Sequence, residues 1–293
     1  MTKPRSATHD GRRVTARGKR FLESRAPKVH EDAKVALLLR GPRTSERATA
    51  AVQSVSQLKK PDAVYLNRRR EVRPFDDASS VERLAQQYDA VLFGIASHSK
   101  KRPDNLTLGR LYDGSLLDMF EFGVLEEGGT LNKMLGTKPC LVFVGEWDAD
   151  DLTKRLRNFF LDFFRGADVD KVNLAGLEHV LVVAMTREPA IRIAISPNRL
   201  RLRKSGTTIP TVNLEESGKP LVLDLRRHHS PSLDLWKTAL KQPKQLKPKK
   251  RKNISTTPLR DTVGKVHVGR QDIDALQARK VKALKRSHHA SEE

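Results

Sequence analysis

The chain has 293 residues, a formal net charge of +21 and 38% hydrophobic residues. Its longest strictly apolar run, residues 180–185, is far short of the roughly 20 residues a membrane-spanning helix needs, so no membrane partner is expected. A single cysteine, Cys140, excludes an internal disulfide and any cysteine-based zinc cluster, and fits a reducing compartment.

Taken in chain order, residues 1–30 form a basic arm with nine Lys and Arg against two acids. The opening Met-Thr-Lys-Pro-Arg-Ser has no apolar segment behind it, so no secretory signal is expected. The arm reads as an extended or nascent-helical segment that orders on a partner. Residues 31–240 form the body, with thirty-two basic and twenty-eight acidic residues. Within it, 34–39 reads as a strand and 44–58 as a helix, with Ala48, Ala51, Val52, Val55 and Leu58 at helical spacing. A strand at 63–66, a helix at 79–88 capped by Ser79 or Ser80, and a strand at 90–96 follow. This alternation predicts a layered α/β unit.

The order then recurs. A buried strand is predicted at 140–144, opened by Cys140. Behind it Leu152, Leu156, Phe159, Phe160, Phe163 and Phe164 form an apolar helical stripe that must be covered, and Arg165-Gly166 ends that helix. Strands are expected at 177–185, 190–195 (stopped by Pro197), 212–214 and 221–225, and a helix at 233–240. Two similar α/β halves suggest an internal duplication. Residues 241–293 form a second arm with fifteen Lys and Arg against five acids. Its prolines and the Lys249-Lys250-Arg251-Lys252 run predict an extended tail, and 271–286 could form a basic helix.

No catalytic set is legible, and no cofactor is expected. Asp148, Asp150 and Asp151 make a tight carboxylate cluster, but no Gly or Glu stands where a calcium loop needs one. Acids at a helix start complement the helix dipole, which accounts for them without a metal. The nine histidines show no metal-ligand spacing, and no phosphate-binding Gly-rich loop occurs. Binding chemistry is present. Basic arms neutralise phosphates and release counterions, so nucleic acid is the expected partner. The Lys100-Lys101-Arg102 loop, fixed by Pro103, can grip a phosphate backbone, with Asn105 able to read a base or sugar edge. Aromatic residues make up only 5% of the chain, so recognition of RNA shape and backbone is expected over stacked bases. Two rival readings stand beside RNA binding. One is a protein-interaction scaffold whose arms serve import; the other is a metal-dependent RNA-processing enzyme using the Asp148 cluster.

An ordered set of strings spans nearly the whole chain. It includes Lys19-Arg20-Phe21-Leu22-Glu23, Arg73-Pro74-Phe75-Asp76-Asp77, Lys100-Lys101-Arg102-Pro103-Asp104-Asn105-Leu106 and Gly109-Arg110-Leu111-Tyr112-Asp113. It continues with Gly136-Thr137-Lys138-Pro139, Leu161-Asp162-Phe163-Phe164-Arg165-Gly166, Leu174-Ala175-Gly176-Leu177-Glu178 and Leu276-Gln277-Ala278-Arg279-Lys280. The set resembles the ribosome production factor 2 family of Brix-domain proteins. The resemblance implies a Brix domain at 31–240, of two α/β halves similar to anticodon-binding domains. It implies a non-enzymatic, nucleolar assembly factor of the large ribosomal subunit. Its implied partners are 5S rRNA, large-subunit precursor rRNA, the two ribosomal proteins of the 5S ribonucleoprotein and, as heterodimer partner, the regulator of ribosome synthesis protein. Carried onto this sequence, the candidate RNA contacts are Lys100, Lys101, Arg102, Asn105, Arg110, Arg226, Arg227, Lys249, Lys250, Arg251 and Lys252.

Overall fold

A computed structural model describes residues 8–9, 12–13, 15–24, 26–129, 138–169, 171–172, 177–188, 190–243, 245–246, 252–266 and 268–269. Its contacts divide the chain into two units, 1–244 and 245–293. In the first unit a two-residue ladder, β1 (Thr8–His9) with β2 (Arg12–Arg13), precedes helix α1 (Ala16–Ser24). The arm therefore carries a short helix within its basic sequence.

The main sheet grows around β3 (Ala36–Arg40), whose residues 36–39 are buried on both faces. Helix α2 (Glu46–Lys59) leads to β4 (Ala63–Arg69), and helix α3 (Ser79–Gln87) leads to β5 (Leu92–Ser97). Both strands lie parallel to β3, one on each side. Because the chain crosses first to one side of β3 and then to the other, right-handed crossovers put α2 and α3 on opposite faces. Each helix is capped by a local oxygen. The Ser45 hydroxyl accepts the Ala48 N–H of α2 at 3.1 Å. At α3 the expected serine cap is absent: the N-cap is Ala78, and the Asp77 carboxylate accepts from the Ser79 N–H and hydroxyl.

Next comes a long hairpin for which the sequence predicts no element, β6 (Asn105–Tyr112) and β7 (Ser115–Glu127). Its turn is Asp113-Gly114, both with positive φ, the backbone a tight two-residue hairpin requires. The second half contains β8 (Cys140–Val144), helix α4 (Asp151–Phe164), β9 (His179–Thr186), β10 (Arg192–Arg203), β11 (Thr211–Glu216), β12 (Leu221–His229) and α5 (Leu233–Ala239). The strand order is β4-β3-β5-β6-β7-β12-β10-β9-β8, with β11 paired to the far end of β10. Read inward from β3 and from β8, each half runs one parallel pair and then antiparallel strands, and the halves meet where β7 pairs antiparallel with β12. The two halves share one continuous sheet.

Helix α4 buries Leu156, Phe159, Phe160, Phe163 and Phe164, as its stripe requires, in a core shared with α2 and the strands of both halves. A second core lies under α3 on the opposite face and includes Leu37, Phe93, Ile95 and Met119. Over β8 that opposite face is open, and Cys140, Val142 and Val144 are exposed. The expectation that Cys140 opens a buried strand is therefore corrected: β8 is an edge strand covered on one face only. Pro197 does not stop its strand either. It sits in register with Leu181 inside β10, where the β12 pairing has ended at Ile195 and the β11 ladder begins at Asn198. The Pro197 carbonyl accepts from the Ser217 N–H at 3.0 Å. The missing N–H faces that same edge, at the gap between two ladders, so no ladder bond is lost.

In the second unit β13 (Ile254–Thr256) pairs antiparallel with β14 (Thr262–Gly264). The tail thus contains a short hairpin at 254–264, between the basic run expected to be extended and the segment expected as a helix. The basic segment 271–286 lies outside the described residues.

Candidate nucleic-acid interface

The basic loop is a tight turn. Ser99 and Arg102 exchange two backbone hydrogen bonds, at 3.0 and 3.1 Å, leaving Lys100 and Lys101 alone at the tip. Both are exposed. The base of the loop is pinned: the His98 N–H donates to the Arg43 carbonyl at 2.8 Å, and His98 Nδ1 accepts the Asp104 N–H at 3.1 Å. A rigid turn that presents two ammonium groups is suited to phosphate, since little ordering cost remains to be met on binding.

The loop overhangs a cleft of about 460 Å³. The cleft opens where β3, β4 and β5 end, beside the crossover point between β3 and β5, the position at which open α/β sheets characteristically bind ligands. Its floor is the α3-side face of β6, β7 and β12. There buried Glu121 accepts from Asn105 Nδ2 at 2.7 Å and from Arg227 Nε, while Arg102 lies 3.5 Å away. Arg226 and Arg227 both reach this face because a bulge stands between Leu225 and Arg227, so two residues of β12 oppose one of β7. Arg226 donates to Asn105 Oδ1 at 3.1 Å and lies across Gly123, where an added Cβ would fall 2.6 Å from its guanidinium. Arg227 stacks on the Phe75 ring, 3.6 Å from the centroid. Desolvation by burial lowers the pKa of both guanidinium groups from the usual arginine value; both nevertheless remain cations at neutral pH.

Of the predicted contacts, Arg102, Asn105, Arg226 and Arg227 meet here, and Lys100 and Lys101 stand above them. Asn105 is buried and acts as a brace between Glu121, Ser97 and Arg226. Arg110 points to the opposite face and is withdrawn as a surface contact. It is buried, makes a double hydrogen bond to Asp118 at 2.7 and 2.8 Å, and reaches Asn158 and Asp162 of α4. Alternation along β6 explains this, because Asn105 and Thr107 face the cleft while Arg110 faces α4. Lys252 is exposed in the second unit; Lys249, Lys250 and Arg251 lie outside the described residues. The sequence reading missed Arg43, Phe75 and Glu121 as cleft residues. Phe75 stood in one of the ordered strings, but without a role.

The acidic cluster is occupied by helix chemistry. The Asp150 carboxylate accepts the Thr153 N–H at 2.8 Å, and the Thr153 hydroxyl lies 3.2 Å from the Asp150 N–H, forming a capping box. Asp150 also pairs with Arg187, and Asp148 with Arg157. No group of three or more metal-binding side chains occurs among the described residues. The Thr153 N–H, followed by the Thr153 side chain and Arg187, holds the Asp150 carboxyl below its ordinary value. Asp150→Ala is expected to lower stability by about 1 kcal/mol at neutral pH, the usual cost of losing a cap. A carboxyl lowered in the fold stabilises above its unfolded value of about 3.9 and loses that contribution as pH falls through the folded value. Paired thermal melts should therefore show the variant's deficit shrinking in acid. A deficit that persisted unchanged at low pH would mean that the carboxylate charge is not involved.

A ribosome production factor 2 homologue from Drosophila melanogaster is 41% identical over 285 residues, covering 95% of this chain and 88% of its own. A Brix domain model matches residues 41–227. The chain belongs to the ribosome production factor 2 family. Ribosome production factor 2 homologues from Homo sapiens, at 42% identity over 85% of this chain and 83% of theirs, and from Schizosaccharomyces pombe, at 38% over 93% and 90%, agree. This is a family of ribosome biogenesis factors with a mixed α/β Brix fold. The bounds of the Brix match fall at the cleft: Gly41 precedes its lining residue Pro42, and Arg227 closes its floor.

Proposed function

We propose that this chain is a non-enzymatic assembly factor of the large ribosomal subunit. It binds 5S rRNA and large-subunit precursor rRNA in the nucleolus and, with the regulator of ribosome synthesis protein, brings the 5S ribonucleoprotein into the precursor particle, on which rRNA processing depends. The observation that carries this reading is the pinned Lys100–Lys101 turn above an arginine-lined cleft, in a chain of this family with +17 of its +21 charge on 83 terminal residues. Arg226 and Arg227 extend the RNA-binding surface of the first unit, and Lys249, Lys250, Arg251 and Lys252 are further RNA contacts from the tail sequence. The apolar face left open over β8 supports a heterodimer, since α3 covers the matching face in the first half.

The test is equilibrium binding of the full chain to 5S rRNA and to an unrelated structured RNA across a salt series. Lys100→Ala with Lys101→Ala is expected to reduce the salt slope by about 1.4–1.8, the loss of two phosphate contacts, with the melting temperature unchanged. Arg102 is left in place because it faces Glu121. An unchanged slope would remove the turn from the RNA interface, and equal affinity for both RNAs would remove the 5S assignment.

A further inference from the structure

The cleft contains more than a phosphate grip requires. Pro42, Pro74 and Phe75 give it an apolar wall, and Phe75 already carries a flat guanidinium, that of Arg227, on its ring. Ser97, Ser99 and Thr107 add hydroxyls able both to donate and to accept. At the mouth stands Arg43, exposed, which makes no side-chain hydrogen bond or ion pair with the other described residues. A duplex backbone would touch only the rim of such a cavity. A concave site of this volume suits one small planar group with a few polar edges.

We propose that the cleft receives a single unpaired RNA nucleotide, its base against the Pro42–Phe75 wall and its phosphate on Arg43. The inference rests on the RNA-binding reading above and adds to it a second mode of contact. The Lys100–Lys101 turn holds backbone of any sequence, whereas the cleft selects RNA in which a base is free to leave the stack. Stacking on aromatic rings and guanidinium planes is how proteins hold splayed RNA bases. The cost of unstacking is least where the base is already unpaired. An acidic peptide is the poorer fit, because Glu121 lies in the floor and Asp76 in the wall of the same cleft.

The experiment compares three RNA hairpins of one stem sequence at one salt concentration: fully paired, with one bulged nucleotide, and with an abasic site in place of that nucleotide. The full chain should bind the bulged hairpin about 5–150-fold more tightly than the paired one, the range that stacking of one base supplies. The abasic hairpin should lose that advantage although its backbone is equally kinked. Phe75→Leu, which keeps apolar volume, should bring the ratio of bulged to paired affinity close to one. Phe75→Tyr should retain it, and Arg43→Ala should weaken the bulged hairpin more than the paired one. Equal, tight binding of all three hairpins by the unaltered chain would overturn the nucleotide site and leave the RNA-binding reading standing. Failure to bind any of them would overturn that reading itself. Displacement of the bulged hairpin by an acidic peptide as readily as by a free mononucleotide would make the cleft a peptide site.

Discussion

Phe160→Ala is expected to destabilise the chain by about 3–5 kcal/mol, the range for removing a large aromatic from a packed core. Phe160 is fully buried. Its ring meets Phe122, Trp147, Phe159 and Phe164, with centroids 5.5–6.4 Å apart. Phe122 belongs to β7 of the first half and Trp147 to the connection that opens α4 in the second. One ring therefore fastens the halves together, and the surrounding aromatics are too rigid to collapse into its place. Leu161, the next residue, is 41% exposed, and Leu161→Ala should cost well under 1 kcal/mol beyond its small change in helix propensity. Urea unfolding of the two variants checks the contrast. Similar losses would mean that α4 is held by its helical backbone rather than by its buried face.

Asp118→Ala is expected to cost about 3–5 kcal/mol, because it leaves the Arg110 guanidinium buried with its double hydrogen bond removed. Arg110 and Asp118 face each other across the β6–β7 hairpin. Burial pushes the Asp118 carboxyl upward while Arg110 opposes that shift, so the pair is costly to desolvate and its value lies in being complete. Arg110 also reaches Asn158 and Asp162, and Trp236 lies 5.7 Å from its guanidinium. The pair thus seats both α4 and α5. The double variant Arg110→Met with Asp118→Leu should recover most of the stability lost by Asp118→Ala, since apolar residues of similar size replace buried ion pairs at little cost. If the double variant were as unstable as the single one, the network to α4, rather than a buried guanidinium stripped of its double hydrogen bond, would be the source of the loss.

These residues also mark how far the sequence could be read. Helix α4 was legible because Leu156, Phe159, Phe160 and Phe163 repeat at helical spacing and all face one core. The parallel strands β3 and β5 were legible as short apolar runs. The β6–β7 hairpin was not, although it is central to the sheet. Arg110, Asp118 and Glu121 are buried in it, and each breaks the apolar pattern because its partner is supplied across the sheet. One local signal was present: Asp113-Gly114 lies between Arg110 and Asp118, a hairpin turn flanked by opposite charges. The cleft was half legible. The cations of 100–102 and 226–227 stood out, but their meeting depends on strand register and on a bulge, and neither Phe75 nor Glu121 carries a sequence mark of its own. Pro197 misled because a proline's cost depends on whether a ladder partner stands beside it, which only the sheet reveals.

The seam between β7 and β12 has a consequence during synthesis. Glu127 pairs with Leu221, so β7 leaves the ribosome roughly a hundred residues, or about 5–20 s, before its neighbour exists. For that interval the first half presents a thirteen-residue strand with an open edge and a partly apolar face, the kind of edge that recruits other chains. The nascent protein therefore has its greatest need of a chaperone after its first half has folded and before β12 emerges, and truncations ending between 130 and 220 should aggregate where the full chain does not.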